Sequence, residues 1–363
     1  MNYETVVTWL TENDTHFPFN ATWEHVKSIM QNAIKELWNT NITSIVYKII
    51  NNPHILCEYY KNYDSFVIAS FLSTTLAIIH YISSEITHDY SQVDRAWSFL
   101  PVIYAWHFTI HDYLSTGLLN VRLVAASIII SLWGARLTYN FARKGGYYSS
   151  GQDYRYPYLL EKVGPVLMAV LNITFIATIQ NFLLLLLASP LYIVSQVSNK
   201  TSCLSMFDWM IIATHLSLLF IEAVADEQQY AFQTAKHALL EYLQPSQLKD
   251  DFKNGFLWHS GLFQYSRHPN FFAEMAMWWV IYFFSVSAIQ EATGLNGLST
   301  FFNWTIAGPA ALTAVIYSST RLTESISSGK YPNYSVYQKN VNKFLPWFPS
   351  KDQTSTKPSS KKD

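Results

Sequence analysis

Tyr265, Arg267, His268, Asn270 and Glu274 crowd into ten positions of one run, Gly261-Leu262-Phe263-Gln264-Tyr265-Ser266-Arg267-His268-Pro269-Asn270-Phe271-Phe272-Ala273-Glu274. Pro269 suits the first turn of a helix. A helix start offers unpaired amide donors and partial positive charge, which together make an anion site. Asn270 and Glu274 then lie one turn apart on one face. Glu274 is followed by Met275, Ala276, Met277, Trp278 and Trp279, so it falls inside an apolar stretch, where an ionisable group is costly unless it is used. A lone basic residue at such a place is a snorkelling anchor; this density of polar types points instead to a site.

Two further clusters carry charge beside apolar runs. One extends from Trp133 to Tyr147 and continues with Asp153-Tyr154-Arg155-Tyr156. Arg136, Asn140 and Arg143 sit at helical spacing on one face, beside the turn formed by Gly145 and Gly146. They read either as positive anchors at a membrane surface or as a phosphate site, for which the guanidinium fork is suited. The other cluster holds Glu222, Asp226, Glu227, Gln229 and Tyr230. Glu222 and Asp226 are four apart, so two carboxylates share a face and must be paired, hydrated or titrated.

The elements that must position these residues are membrane helices. Of 363 residues, 50% are hydrophobic and only 13% charged, against about 25% charged in soluble chains. Stretches near ~20 apolar residues mark spans: Phe66–Ile82, Leu118–Trp133, Val163–Val194, Met206–Val224, Asn270–Ile289 and Trp304–Ser318, with a weaker one at Ala96–Ile110 that contains Pro101 and His107. The fold class is therefore all-α, a multi-pass helix bundle of about seven spans. Val163–Val194 is long for one crossing and reads as a tilted helix or as a hairpin broken near Asn181.

Basic residues concentrate after Trp133, after Val224 and after Ser318, whereas Ser195–Ser205 and Gln290–Asn303 carry one charge each, Lys200 and Glu291. The basic segments read as cytosolic, which puts the C-terminus in the cytosol and residues 1–65 in the lumen. Sequons at Asn13, Asn20, Asn41, Asn199 and Asn303 agree with this orientation, and one at Asn333 does not. Residues 1–65 form an amphipathic segment, 66–350 the membrane domain, and 351–363 a Ser-, Thr-, Lys- and Pro-rich tail expected to be disordered. Cys57 and Cys203 have no metal or redox spacing and read as buried thiols. A net charge of -1 gives no field for nucleic acid. The partners expected are a lipid membrane and an apolar substrate entering from it.

The run from Gly261 to Glu274 resembles the signature of the steroid 5-alpha-reductase-like membrane proteins, and more closely their sub-branch numbered as domain of unknown function 1295. The Trp133–Tyr147 run, Asp153-Tyr154-Arg155-Tyr156, and Glu222, Asp226 and Gln229 match that sub-branch in order. So do Glu324, Tyr334 to Tyr337, and Phe344-Leu345-Pro346-Trp347-Phe348-Pro349, with Asp94-Arg95-Ala96-Trp97 and Pro101 upstream. The resemblance covers roughly residues 66 to 350. It implies an endoplasmic-reticulum reductase with a cofactor cavity between its spans, opened to the cytosol. NADPH is the cofactor implied. Ser325-Ile326-Ser327-Ser328 stands where basic residues are usual, so NADH is not excluded.

On this reading Glu222, Tyr265 and Glu274 are the catalytic candidates. Arg136, Asn140, Arg143, Asp226, Arg267, His268, Asn270, Arg321 and Tyr337 are candidates for the cofactor; Asp94, Trp97 and Tyr104 for the substrate; none is expected to hold a metal. His107 reads as a satisfied core histidine. The reaction would reduce a carbon–carbon double bond of a sterol or long-chain enone, with a positioned acid at the carbonyl oxygen. Isoprenylcysteine carboxyl methyltransferases share the Arg-His-Pro opening and would use S-adenosylmethionine instead. A third alternative is a catalytically silent membrane protein that binds lipid.

Overall fold

The structure is a computed structural model. It describes residues 18, 21–39, 47, 51–52, 54–148, 151–198, 203–295 and 297–349. Four expected sequons, at Asn13, Asn20, Asn41 and Asn199, and the expected disordered tail at 351–363 lie outside the described residues.

The described residues are helical without strands, which makes the fold all-α. In chain order the helices are α1 (Trp23–Asn39), α2 (His54–Asn62), α3 (Ser65–Thr87), α4 (Gln92–Ala96), α5 (Leu100–Thr116), α6 (Val121–Arg143), α7 (Arg155–Leu171), a π-helical stretch (Asn172–Ile179), α8 (Gln180–Val197), α9 (Met206–Tyr242), α10 (Asp250–Asn254), α11 (Pro269–Thr293), α12 (Ala307–Lys330) and α13 (Tyr334–Asn340). Among the described residues five stretches, not the expected seven, are long and apolar enough to cross a membrane: α3, α6, Arg155–Val197, α9 and α11. These helices make the protein a membrane protein.

Local chemistry sets the helix ends, and several differ from the boundaries expected of the apolar runs. Asp64 caps α3 by accepting from the amides of Phe66 and Val67 at 2.8 and 3.2 Å. Asn120 caps α6 in the same way. The expected span Ala96–Ile110 is displaced: α4 stops at Ala96, a turn follows, and α5 starts at Leu100 with Pro101 in its first turn, where a missing amide is harmless. The long stretch Arg155–Val197 is not a hairpin broken at Asn181, since helix continues through that residue. Its kink is earlier, at Gly164, whose φ of 78° places it in the left-handed region just before Pro165. Helix α9 runs 18 residues past Val224; its 37 residues measure about 55 Å at 1.5 Å per residue. The residues that carry it onward, such as Glu227, Gln228, Gln229, Ala231 and Lys236, are polar or small and good helix formers.

The chain divides into two compact units, Met1–His215 with Trp278–Leu312, and Leu216–Met277 with Thr313–Asp363. In the first unit, α8 packs against α5 and α3, and α5 packs against α6. Its aromatic core gathers around the start of α3, where Phe66 meets Trp304 at 4.9 Å and Tyr192 at 5.4 Å between ring centroids. The Tyr192 hydroxyl donates to Asp64 at 2.9 Å. His107 is the satisfied histidine expected: its ring nitrogens lie 2.9 Å from the Tyr60 hydroxyl and 2.9 Å from the Ser65 carbonyl oxygen. One ion cluster ties three helices of this unit. Arg122 on α6 donates to both oxygens of Asp208 on α9 at 2.9 and 2.8 Å. It also reaches Glu291 on α11 at 2.7 Å and the Ser198 hydroxyl at 2.9 Å.

In the second unit Phe256, Trp258, Tyr334, Tyr337 and Val341 form an aromatic core, with Tyr331 against it. A smaller cluster joins Ala225 and Phe232 of α9 to Leu257 and Phe263.

Two further expectations are corrected. Cys57 and Cys203 are exposed thiols rather than buried ones: the first is on an outward face of the short helix α2, the second in the loop that leads into α9. Asn303 is only 5% exposed, and its amide donates to the Tyr282 and Ser285 hydroxyls. A glycan there has no room in the fold.

Candidate functional site

In the second unit, the run from Gly255 to Glu274 is fastened to α9, α12 and α13. Gly255 ends α10 with a φ of 83°, and a Cβ there would stand 2.3 Å from the Tyr331 ring, so both conformation and space require glycine. Asp251 gathers the next turn. Its carboxylate accepts from the amides of Trp258 and His259 and the Ser260 hydroxyl, and lies 2.8 Å from the His259 ring. Gln228 on α9 accepts from the Leu262 amide at 2.8 Å. Tyr337 is buried, and its hydroxyl donates to the Phe263 carbonyl at 2.7 Å; burial raises its pKa.

Arg267 is 8% exposed and almost fully engaged. Its guanidinium donates to both oxygens of Glu324 on α12, at 2.7 and 3.3 Å, and to the carbonyls of Gln338 and Val341. His268 lies 3.0 Å from the same carboxylate, which also accepts from Gln338 and has Lys343 at 3.6 Å. These contacts hold the Glu324 carboxyl at about 2, hydrogen bonds from His268 and Arg267 outweighing its burial. Burial lowers the His268 pKa despite the carboxylate beside it. An anion at Arg267 would have to displace Glu324 or a carbonyl. The two residues that looked most like an anion site thus close a network inside their own unit.

Pro269 opens α11, as its place in the run implies. One position on, the Asn270 amide donates to Asp226 of α9 at 3.3 Å. Glu222 and Asp226 occupy successive turns of α9, and Asn270 and Glu274 successive turns of α11. Glu222, Asp226 and Glu274 are 4%, 3% and 9% exposed, so three carboxyl groups are withdrawn from solvent on two helices, with Asn270 half-buried among them. Tyr265 is half-buried; its carbonyl accepts from the Trp347 amide at 2.9 Å, and its ring stands edge-on to Phe348. Arg321 is exposed on α12.

The remaining predicted residues belong to the first unit. Arg136, Asn140 and Arg143 share α6; Arg143 donates to Asn140 at 3.1 Å and lies over the Tyr139 ring. Gly134 lets α6 approach the corner before α5, because a Cβ there would stand 2.7 Å from the Ser98 carbonyl oxygen. Trp97 is half-buried in that corner and Tyr104 is fully buried on α5. Asp94 on α4 accepts from the Tyr156 hydroxyl at 3.3 Å, and its other oxygen is sealed from solvent. Burial pushes the Asp94 carboxyl up to about 6, against the pull of Arg155. Arg155 is itself clamped by Asp153 at 2.7 Å. An open apolar groove of about 560 Å³ in this unit, lined by Leu56, Cys57, Tyr59, Tyr60, Tyr63 and Ile68, contains none of the predicted residues.

Sequence reasoning missed the roles of five residues. Tyr156 stands in a motif that drew attention for its charges, and only the fold pairs it with Asp94. Glu324 and Gln338 carry no local signal, although Glu324 falls within the family resemblance. Arg122 and Asp208 lie near span ends, where single charges are unremarkable.

The chain matches the sequence profile of a family described as Protein of unknown function (DUF1295) over residues 79–341. This protein belongs to the DUF1295 family. Among relatives of this DUF1295 protein is the Uncharacterized protein C594.04c of Schizosaccharomyces pombe, 33% identical over a stretch covering 85% of this chain and 89% of the other. No solved structure matches at a significant level. The family match begins within α3 and ends just after α13, so it takes in every candidate residue named above.

Proposed function

We propose that this DUF1295 protein is a membrane reductase that uses a nicotinamide dinucleotide, NADPH before NADH, to reduce a carbon–carbon double bond of an apolar enone such as a sterol or long-chain lipid. The sequence supports this through the resemblance of Gly261–Glu274 and its companion motifs to the steroid 5-alpha-reductase-like proteins. The observation that carries it is the pairing of Asn270 with Asp226 in the first turn of α11, with Glu222 and Glu274 buried one turn away on the same two helices. Three carboxyl groups withdrawn from solvent on two membrane helices, with the half-buried Asn270 beside them, form the kind of costly polar cluster that marks a functional site.

These residues fit such a dinucleotide in kind. Asp226, Glu222 and Glu274 are acceptors suited to ribose hydroxyls and a carboxamide. Asn270 both donates and accepts. The first-turn amides of α11 and the exposed Arg321 suit phosphate. When bound, the dinucleotide would supply the hydride. The chain's own part is to hold the ring face, exclude water, and donate a proton as charge builds on the carbonyl oxygen. Tyr265, a candidate from the sequence and half-buried beside the strap at Trp347 and Phe348, is the donor assigned here. The endoplasmic reticulum and a cytosolic C-terminus complete the proposal, the latter from the placing of basic loops.

Titration of purified protein with NADPH, followed by quenching of nicotinamide fluorescence, tests this. Binding should saturate and weaken at least about tenfold in Asn270→Ala and Glu274→Gln, the loss of one charge-assisted hydrogen bond. S-adenosylmethionine that binds where NADPH does not would replace the reductase with a methyltransferase. A folded sample that binds neither would favour a silent lipid-binding protein, a reading consistent with an Arg267 already engaged by Glu324.

A further inference from the structure

The last described residues form a strap. The carbonyls of Asn342 and Lys343 accept from the amides of Arg267 and His268 at 2.9 and 3.1 Å, and the Phe344 carbonyl accepts from the Ser266 hydroxyl at 2.7 Å. The Trp347 amide then returns to Tyr265. Within this strap, Leu345, Pro346, Trp347 and Phe348 are consecutive, apolar and turned outward: Leu345 is 66% exposed, Trp347 68% and Phe348 79%. Their backbone is held in place, so their exposure does not come from a loose end. Pro346 restricts it further.

We propose that Leu345, Trp347 and Phe348 are an interfacial anchor seated in the headgroup boundary of a lipid bilayer. Depth is the first argument. The strap is bonded to residues 265–268, and Pro269 immediately afterwards opens α11, one of the apolar membrane-length helices. A segment fastened to the start of such a helix stands at the level where the chain enters the bilayer. Composition is the second. Trp and Phe beside each other, with an indole N–H that can face water, suit the boundary between headgroups and acyl chains. Charge is the third. Lys339 is exposed on α13, and in the sequence the apolar run lies between Lys343 and Lys351; anionic headgroups complement such basic residues. The anchor also has a mechanical consequence. Phe348 packs on the Tyr265 ring and Trp347 bonds to its carbonyl, so lipid that seats the knuckle also steadies Tyr265. None of this depends on the reductase reading.

The test uses the full chain in nanodiscs of phosphatidylcholine and phosphatidylserine. An environment-sensitive fluorophore is placed at Phe348→Cys, with Cys57→Ser and Cys203→Ser removing the other thiols; Leu345→Cys is a second reporter, and each variant is first checked for a monodisperse elution profile. The expected result is quenching by lipids spin-labelled near the headgroup, weaker quenching by lipids labelled at the acyl end, and protection from aqueous iodide. Iodide quenching without lipid quenching would overturn the proposal by placing the knuckle in water. Protection from both quenchers would overturn it too, by showing that protein covers the knuckle.

Discussion

The two units each contain one dominant ion cluster, and the clusters are built with opposite signs. In the first unit a single base, Arg122, serves two acids, Asp208 and Glu291. In the second a single acid, Glu324, is met by Arg267, His268 and Lys343. A buried pair is sustained only while its desolvation is offset by the opposite charge. Each cluster is therefore most sensitive at its singular member, and much less so at its periphery. The peripheral groups here are also the wetter ones: Glu291 and Lys343 keep 29% and 26% of their side-chain surface, against 4% for Arg122 and 6% for Glu324.

The largest effect should come from Arg122→Leu. It strands Asp208, whose side chain is completely buried, and should cost about 3–5 kcal/mol of stability. Glu291→Gln should cost roughly 1 kcal/mol or less, since that carboxylate can turn to water. Thermal unfolding in detergent measures both, and equal losses would show that the single-hub description of this unit is wrong.

Next in size is Glu324→Gln, with a loss of about 3 kcal/mol. The double change Arg267→Met with Glu324→Met should recover much of that loss, because no buried charge is left unpaired. This cluster should also make the second unit acid-labile. The Glu324 carboxyl is depressed to about 2, so its contribution is complete above its ordinary value near 4.5 and is lost as pH falls toward 2. The His268 pKa is lowered below 6.5 by burial, so the unfolded chain takes up a proton first and stability begins to decline below that pH. A midpoint that does not fall between pH 7 and pH 4, whatever the lipid, would count against this reading.

The smallest effect sharpens the contrast. Asp94 has its carboxyl raised to about 6 from 3.8. Its ionisation thus opposes folding, in a penalty that grows from pH 3.8 and is complete above about 6. Asp94→Asn should raise the melting temperature slightly at pH 7.5 and progressively less at lower pH. An unchanged or lowered melting temperature at pH 7.5 would show that Asp94 is a stabilising partner of Arg155 or Tyr156.

Five of the seven expected spans were legible because a crossing helix must be apolar for many consecutive residues, whereas the helices at Ala96–Ile110 and Trp304–Ser318 are too short or too polar to count among them. Their ends were less so: α9 continues through residues that are polar yet helix-forming, and hydropathy stops at Val224. The polar side of the site was half legible. Pro269, Asn270 and Glu274 are ordered by local helix geometry, so spacing suffices to place them. The partners of Arg267 are not, since Glu324 stands 57 positions away and only the folded chain brings it near. Arg122 is the extreme case, with its two acids 86 and 169 positions off.

The exposed thiols give the molecule two chemical handles it did not have to be given. Cys57 and Cys203 are separated along the chain by three of the five membrane-length stretches, α3, α6 and Arg155–Val197, and both stand clear of the packed interior. Their chemistry is then governed by the compartment they meet rather than by the protein around them. What reagent reaches them, and from which side, follows from the direction in which the chain was threaded.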